Sequence, residues 1–103
     1  MTENYLFTNE DMKAIGNRIQ EERKKKGIKA IDFADVIGIG KDQLSRIENG
    51  KVTCKLEYLF VIAKYLEVSS DYLLYGKTSY DAQQMLNNLS VEKLQAIMSL
   101  IMN

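Results

Sequence analysis

The stretch AIDFADVIGIGKDQLSRIEN, residues 30–49, restricts the fold of this chain more than any other. It reads as two short helices, about 30–37 and 41–48, joined by a tight turn. Ala34 stands where the first helix must approach the second closely, so the position calls for a small side chain. Gly38 follows the last apolar residue of the first helix, where a chain leaves through a left-handed conformation that glycine adopts at little cost. Phe33, Ile37, Ile39, Leu44 and Ile47 supply the apolar faces that clamp the pair. Ala34 to Gly38 is four residues, Gly38 to Leu44 six, and Leu44 to Ile47 three. With those faces turned inward, the second helix keeps a polar face carrying Lys41, Asp42, Gln43, Ser45 and Arg46. Side chains of these types can reach base edges in a major groove.

The flanking segments supply a body for this pair. Thr8 with Asp11 three residues later has the spacing of a capping box, and Asn9 is an alternative cap. A helix over about 10–26 follows, with Met12, Ile15, Gly16 and Ile19 on one face and Lys24, Lys25 and Lys26 before Gly27. The lysine run reads as a solvated helix end, and Arg18 as a surface residue or a phosphate contact. A further helix over about 55–66 places Leu56, Leu59, Ile62, Ala63 and Leu66 at helical spacing, and all five are assigned to the core. Ser69 or Ser70 caps a short helix, about 70–75, whose Leu73 and Leu74 close the core before Gly76. Residues 1–8 carry Tyr5 and Phe7 but no Lys or Arg, so they are expected to cover an edge of that core.

Four strings bring a specific resemblance: IGNRIQEER at 15–23, FADVIGIG at 33–40, LSRIENGK at 44–51 and LEYLFVIAKYLEVSSDYLLYG at 56–76. In this register, from Ile15 to Gly76, the chain resembles the Cro/CI-type helix-turn-helix domain, also called the XRE family, of phage repressors and many bacterial regulators. The resemblance implies an all-α fold: a five-helix, phage-repressor-like helix-turn-helix domain with a C-terminal helical extension. It implies double-stranded DNA as partner, with helix 41–48 in the major groove. Base contacts would fall to Lys41, Asp42, Gln43 and Arg46, and phosphate contacts to Lys29, Gly40, Ser45, Asn49, Gly50 and Lys51. Arg23 would pair with Glu48 in a structural role. Departures from the family stand at Lys29-Ala30, where Ser or Thr followed by Gln is usual, at Gly40 in place of a Ser or Thr cap, and at Cys54 in place of a frequent proline.

Composition narrows the function classes. A chain of 103 residues suits one domain with a small appendage. No apolar run approaches the roughly 20 residues of a membrane span, and the first residues lack the basic and apolar regions of a secretory signal. Cys54 is the single cysteine and there is no histidine, so neither an internal disulfide, a thiol–imidazole pair nor the usual zinc sets can form. No enzyme activity, metal or cofactor is expected, no membrane association either, and a cytoplasmic location is. Net charge is zero, yet residues 10–55 hold 11 basic and 8 acidic side chains, which places the positive excess on the half that contains the two-helix unit.

The organisation expected is a lead over 1–9, the DNA-binding domain over 10–76 and an extension over 77–103. Residues 77–81 read as a polar connector and 82–88 as a short helix. A helix over 90–102 carries Val91, Leu94, Ile97, Met98 and Ile101 along one stripe. A helix this short and apolar must bury that stripe: against a second copy, against its own domain, or against a partner protein. The expected function is a sequence-specific transcriptional regulator that occupies a promoter as a homodimer and represses. The alternatives are an antitoxin or accessory regulator that binds a partner protein through its C-terminal helices, and a protein-interaction module without DNA binding.

Overall fold

Helix α1, Asn9–Lys25, begins at a reciprocal cap: Thr8 Oγ1 accepts from the Asp11 N–H at 3.2 Å, and Asp11 Oδ2 accepts from the Thr8 N–H at 2.8 Å. The Thr8 backbone bond, then its hydroxyl, stabilises the ionised carboxyl and holds Asp11 below the ordinary carboxylate range. The computed structural model describes residues 6–76 and 91–102. Among them follow α2 (Ala30–Ile37), α3 (Lys41–Glu48), α4 (Leu56–Leu66), α5 (Ser70–Tyr75) and α6 (Val91–Met102), with no strand. Ser69, rather than Ser70, caps α5, its hydroxyl accepting from the Tyr72 N–H at 3.0 Å.

One core joins the first five helices. Ile15 and Ile19 of α1, Phe33, Ala34 and Ile37 of α2, Leu44 and Ile47 of α3, Leu59, Ile62 and Leu66 of α4, and Leu73 of α5 are all buried in a single cluster. The turn between α2 and α3 forms at Gly38, whose φ of 87° lets the Gly38 and Ile39 N–H groups both return to the Ala34 carbonyl. Against this cluster a small apolar cavity of about 60 Å³ is lined by Phe7, Met12, Ile15, Ile47, Val52, Cys54, Leu59 and Leu74. Phe7 lines one side of this cavity while staying 58% exposed, and Tyr5 lies outside the described residues.

Leu56 corrects one expectation. It is 80% exposed, not core. At 3.6 residues per turn Leu59, Ile62 and Leu66 share one direction, and Leu56 stands roughly 90° away from it. Tyr58 and Ala63, each about 70° from that direction on opposite sides, are half-buried, so the boundary of the core falls between them and Leu56. Apolar spacing alone placed it on the wrong side.

In α6 every described side chain, residues 95–101, is exposed, the large apolar ones ranging from Ile97 at 44% to Leu100 at 84%. The side chains of Val91 and Leu94, and the helix expected over 82–88, lie outside the described residues. No helix among the described residues is long and apolar enough to cross a membrane.

Candidate nucleic-acid interface

Helix α3 divides cleanly. Leu44, Ile47 and Glu48 are buried, while Lys41, Asp42, Gln43, Ser45 and Arg46 are exposed. Its inner end is held to α1 at two places. Arg23 donates Nε to Glu48 Oε2 at 2.7 Å and Nη2 to Glu48 Oε1 at 2.9 Å, and gives Nη1 to the Ile28 carbonyl at 2.9 Å. The hydrogen-bonded Glu48 carboxylate stabilises the charged guanidinium and raises the Arg23 pKa above its ordinary value. Beside the pair, Gly16 meets the end of α3 backbone to backbone: a Cβ there would lie 2.2 Å from the Ile47 carbonyl oxygen and 2.6 Å from that of Glu48. The sequence placed Gly16 on the buried face without showing that it is the seat of α3.

The outer ends of α2 and α3 are left open. Neither the α2 cap, Lys29, nor the α3 cap, Gly40, contributes a side-chain bond to the free N–H groups of its helix. Such helix starts favour anions through unpaired donors and the helix dipole. Lys29 and Lys41 stand exposed at these same ends.

The exit from α3 differs from expectation. The Asn49–Gly50 backbone was expected to clamp phosphate, but its donors are engaged within the helix cap: Asn49 N–H bonds to the Ser45 carbonyl, Gly50 N–H to Ile47 and Lys51 N–H to Arg46 at 2.8 Å. With Gly50 at φ 69° this is a Schellman closure. Gly50 is also buried against the Lys13 backbone, where a Cβ would come within 2.6 Å of Cα. What remains available from this loop is side chain: Lys51, exposed, and Asn49, whose Nδ2 donates to Ser45 Oγ at 3.2 Å.

An open groove of about 460 Å³ brings Asp42, Gln43 and Arg46 together with Val52, Thr53 and Lys55. Thr53 and Lys55 were not among the expected site residues. Lys55 had a signal, a cation at the start of α4, but only folding sets it opposite Arg46. Arg18 is half-buried rather than a free surface residue. Its Nη1 donates to the Leu73 carbonyl at 3.1 Å and its guanidinium lies against Gly76, closing the end of α5. No group of three or more metal-ligating side chains occurs among the described residues.

Comparison with known proteins agrees with this geometry. The profile of a family described as helix-turn-helix (HTH_3) matches residues 19–73. The HTH-type transcriptional regulator SinR of Bacillus licheniformis is 38% identical over 72 residues, 67% of this chain, and the match spans 65% of that relative's length. A crystal structure of the P22 c2 repressor in complex with a synthetic operator is 32% identical with a TM-score of 0.58, covering 61% of this chain and 96% of that one. A SinR–SinI protein complex is 25% identical with a TM-score of 0.55, covering 84% and 92%.

Proposed function

Because this chain belongs to the helix-turn-helix family of Cro/CI-type regulators, with over half its length inside the family match, we propose that it is a sequence-specific DNA-binding regulator that reads duplex with α3 and represses by occupying its site. The observation that carries the reading is the polar face of α3, presented outward on a helix anchored from behind by the Arg23–Glu48 pair. Lys41 and Arg46 suit guanine O6 and N7, Asp42 suits a cytosine amino group, and Gln43 suits adenine or a phosphate. Lys29, Ser45, Asn49 and Lys51 hold phosphates and set the register, helped by the open start of α3 at Gly40. The P22 c2 repressor, similar over 61% of this chain, is recorded bound to an operator, which supports the assignment.

The chain acts as a homodimer, with the α6 stripe of Val91, Leu94, Ile97, Met98 and Ile101 as its pairing surface. Exposure of the described part of that stripe supports this reading, since an apolar helix left in water needs a partner. The same exposure supports a second reading, in which α6 receives a different protein, and the SinR–SinI complex gives that reading a structural relative.

Selection of bound duplexes from a random pool tests the proposal. The expected product is a two-fold symmetric site with half-sites about 34 Å apart, one turn of duplex. Equal, purely salt-dependent retention of all sequences would remove α3 from sequence reading. Sedimentation equilibrium of Ile97→Glu beside the intact chain tests α6: an unchanged dimer places the interface elsewhere.

A further inference from the structure

Helix α4 carries a second face that the core does not use. Leu56 is 80% exposed and Phe60 61% exposed, with half-buried Ala63 and exposed Glu67 continuing the line. Their spacing of four, three and four residues is that of the alternating seam positions in a helix pair. Alongside the seam, Glu57 and Lys64 stand seven residues apart, at the same heptad position on one flank, and both are exposed. Neither forms an ion pair among the described residues; Lys64 instead lies over the Phe60 ring, its Nζ 4.8 Å from the centroid.

The occupant follows from this charge pattern. When two identical helices pair antiparallel about a two-fold axis, equivalent flanks face each other. Glu57 of one copy then meets Lys64 of the other, and the reverse contact forms with it. A parallel pairing would instead set this flank against the opposite one, which holds Leu59 and Leu66, both buried in the core, so neither charge would meet a partner. The face is therefore complementary to itself in one orientation only. We propose that the Leu56–Phe60–Ala63 face of α4 is a contact between two copies of this chain, paired antiparallel, with Glu57 and Lys64 exchanged across the axis.

This contact goes beyond pairing through α6 and does not depend on it. Residues 77–90 stand between α6 and the body, whereas α4 belongs to the body that carries α3. Lys55, immediately before the seam, lines the α3 groove. A two-fold axis through α4 thus relates two recognition grooves rigidly, the symmetry that a two-fold duplex site requires. The seam spans only about two turns, so the contact is weak by itself and acts on chains already brought together by α6 or by DNA.

The test uses the full chain carrying Ile97→Glu, so that association through α6 does not mask the α4 contact. Sedimentation equilibrium at low salt, up to millimolar chain, measures self-association. The expected result is a weak dimer whose dissociation constant rises about tenfold or more with Glu57→Lys or Lys64→Glu, and returns to within about threefold in the double exchange. Phe60→Glu abolishes the dimer while circular dichroism shows an unchanged helical fold. A chain monomeric throughout, or a double exchange no better than either single change, overturns the proposal. Should Ile97→Glu associate as strongly as the intact chain, the α6 reading fails by itself, and the charge exchange still decides α4.

Discussion

Arg23 and Glu48 meet as a two-pronged ion pair between α1 and α3, their side chains only 9% and 3% exposed, at 2.7 and 2.9 Å. The third guanidinium contact, to the Ile28 carbonyl, leaves no buried side-chain polar atom without a partner among the described residues. Glu48→Ala strands the guanidinium and is expected to cost about 3–5 kcal/mol. Replacing both partners, Arg23→Met with Glu48→Leu, removes the charge along with its partner and recovers much of the loss. Urea unfolding of the three proteins checks the cycle. A Glu48→Ala chain as stable as the parent would place the pair outside the set of interactions that matter.

Gly16 faces a decision between two opposing effects. Alanine in a helix interior is favoured over glycine by about 1 kcal/mol. Here the added Cβ would lie 2.2 Å from a backbone carbonyl oxygen, which cannot swing aside as a side chain would. Overpacking of that kind costs about 3 kcal/mol, so steric conflict wins. Gly16→Ala is expected to lower stability by about 2 kcal/mol or more and to weaken DNA binding by displacing α3. Gly40→Ala, with nothing within 4 Å of its Cβ, is the control and stays within about 1 kcal/mol of the parent.

Cys54 gives stability a pH dependence at the alkaline end. Burial pushes its thiol up to about 11. The folded chain therefore keeps the proton at pH values where the unfolded thiol, with a pKa of roughly 8.5–9, has lost it. Its contribution is complete below the unfolded pKa and declines as pH rises from there toward 11. Unfolding by urea at pH 7 and pH 10 should show a smaller difference in Cys54→Ala than in the parent. Equal differences would mean that the thiol is not buried in solution. Alkylation by iodoacetamide at pH 8 is slow for the same reason.

Arg46 and Lys51 separate reading from holding. Arg46→Ala is expected to cost about 1–3 kcal/mol on the selected site and to relax preference at one base position. Lys51→Ala weakens every duplex alike and lowers the salt slope by about one. Titrations of specific and random duplex at several salt concentrations distinguish them, and identical profiles for the two variants would refute the division of labour. Thr53→Ala and Lys55→Ala, across the groove from Arg46, are expected to follow the phosphate pattern.

By itself the sequence determined the elements, because local chemistry sets them. Thr8 and Asp11 stand three residues apart along the chain, Gly38 reaches φ 87° through its own missing Cβ, and the helices over 30–37, 41–48 and 70–75 run as their spacing requires. The polar face of α3 was legible for the same reason: a period of 3.6 residues sorts inner from outer positions within one helix. Tertiary structure decided whatever depends on what lies opposite. Leu56 lies at apolar spacing in α4, yet it stands off the core direction and is 80% exposed among the described residues. Arg18 finds the end of α5, 55 positions away, and Lys55 finds the α3 groove. Gly50 exposes its N–H in a linear reading but engages it within the α3 cap while its Cα rests on α1. Backbone hydrogen bonds and helix crossings are set by the packed arrangement of α1, α3 and α5, and that arrangement also seats the recognition helix.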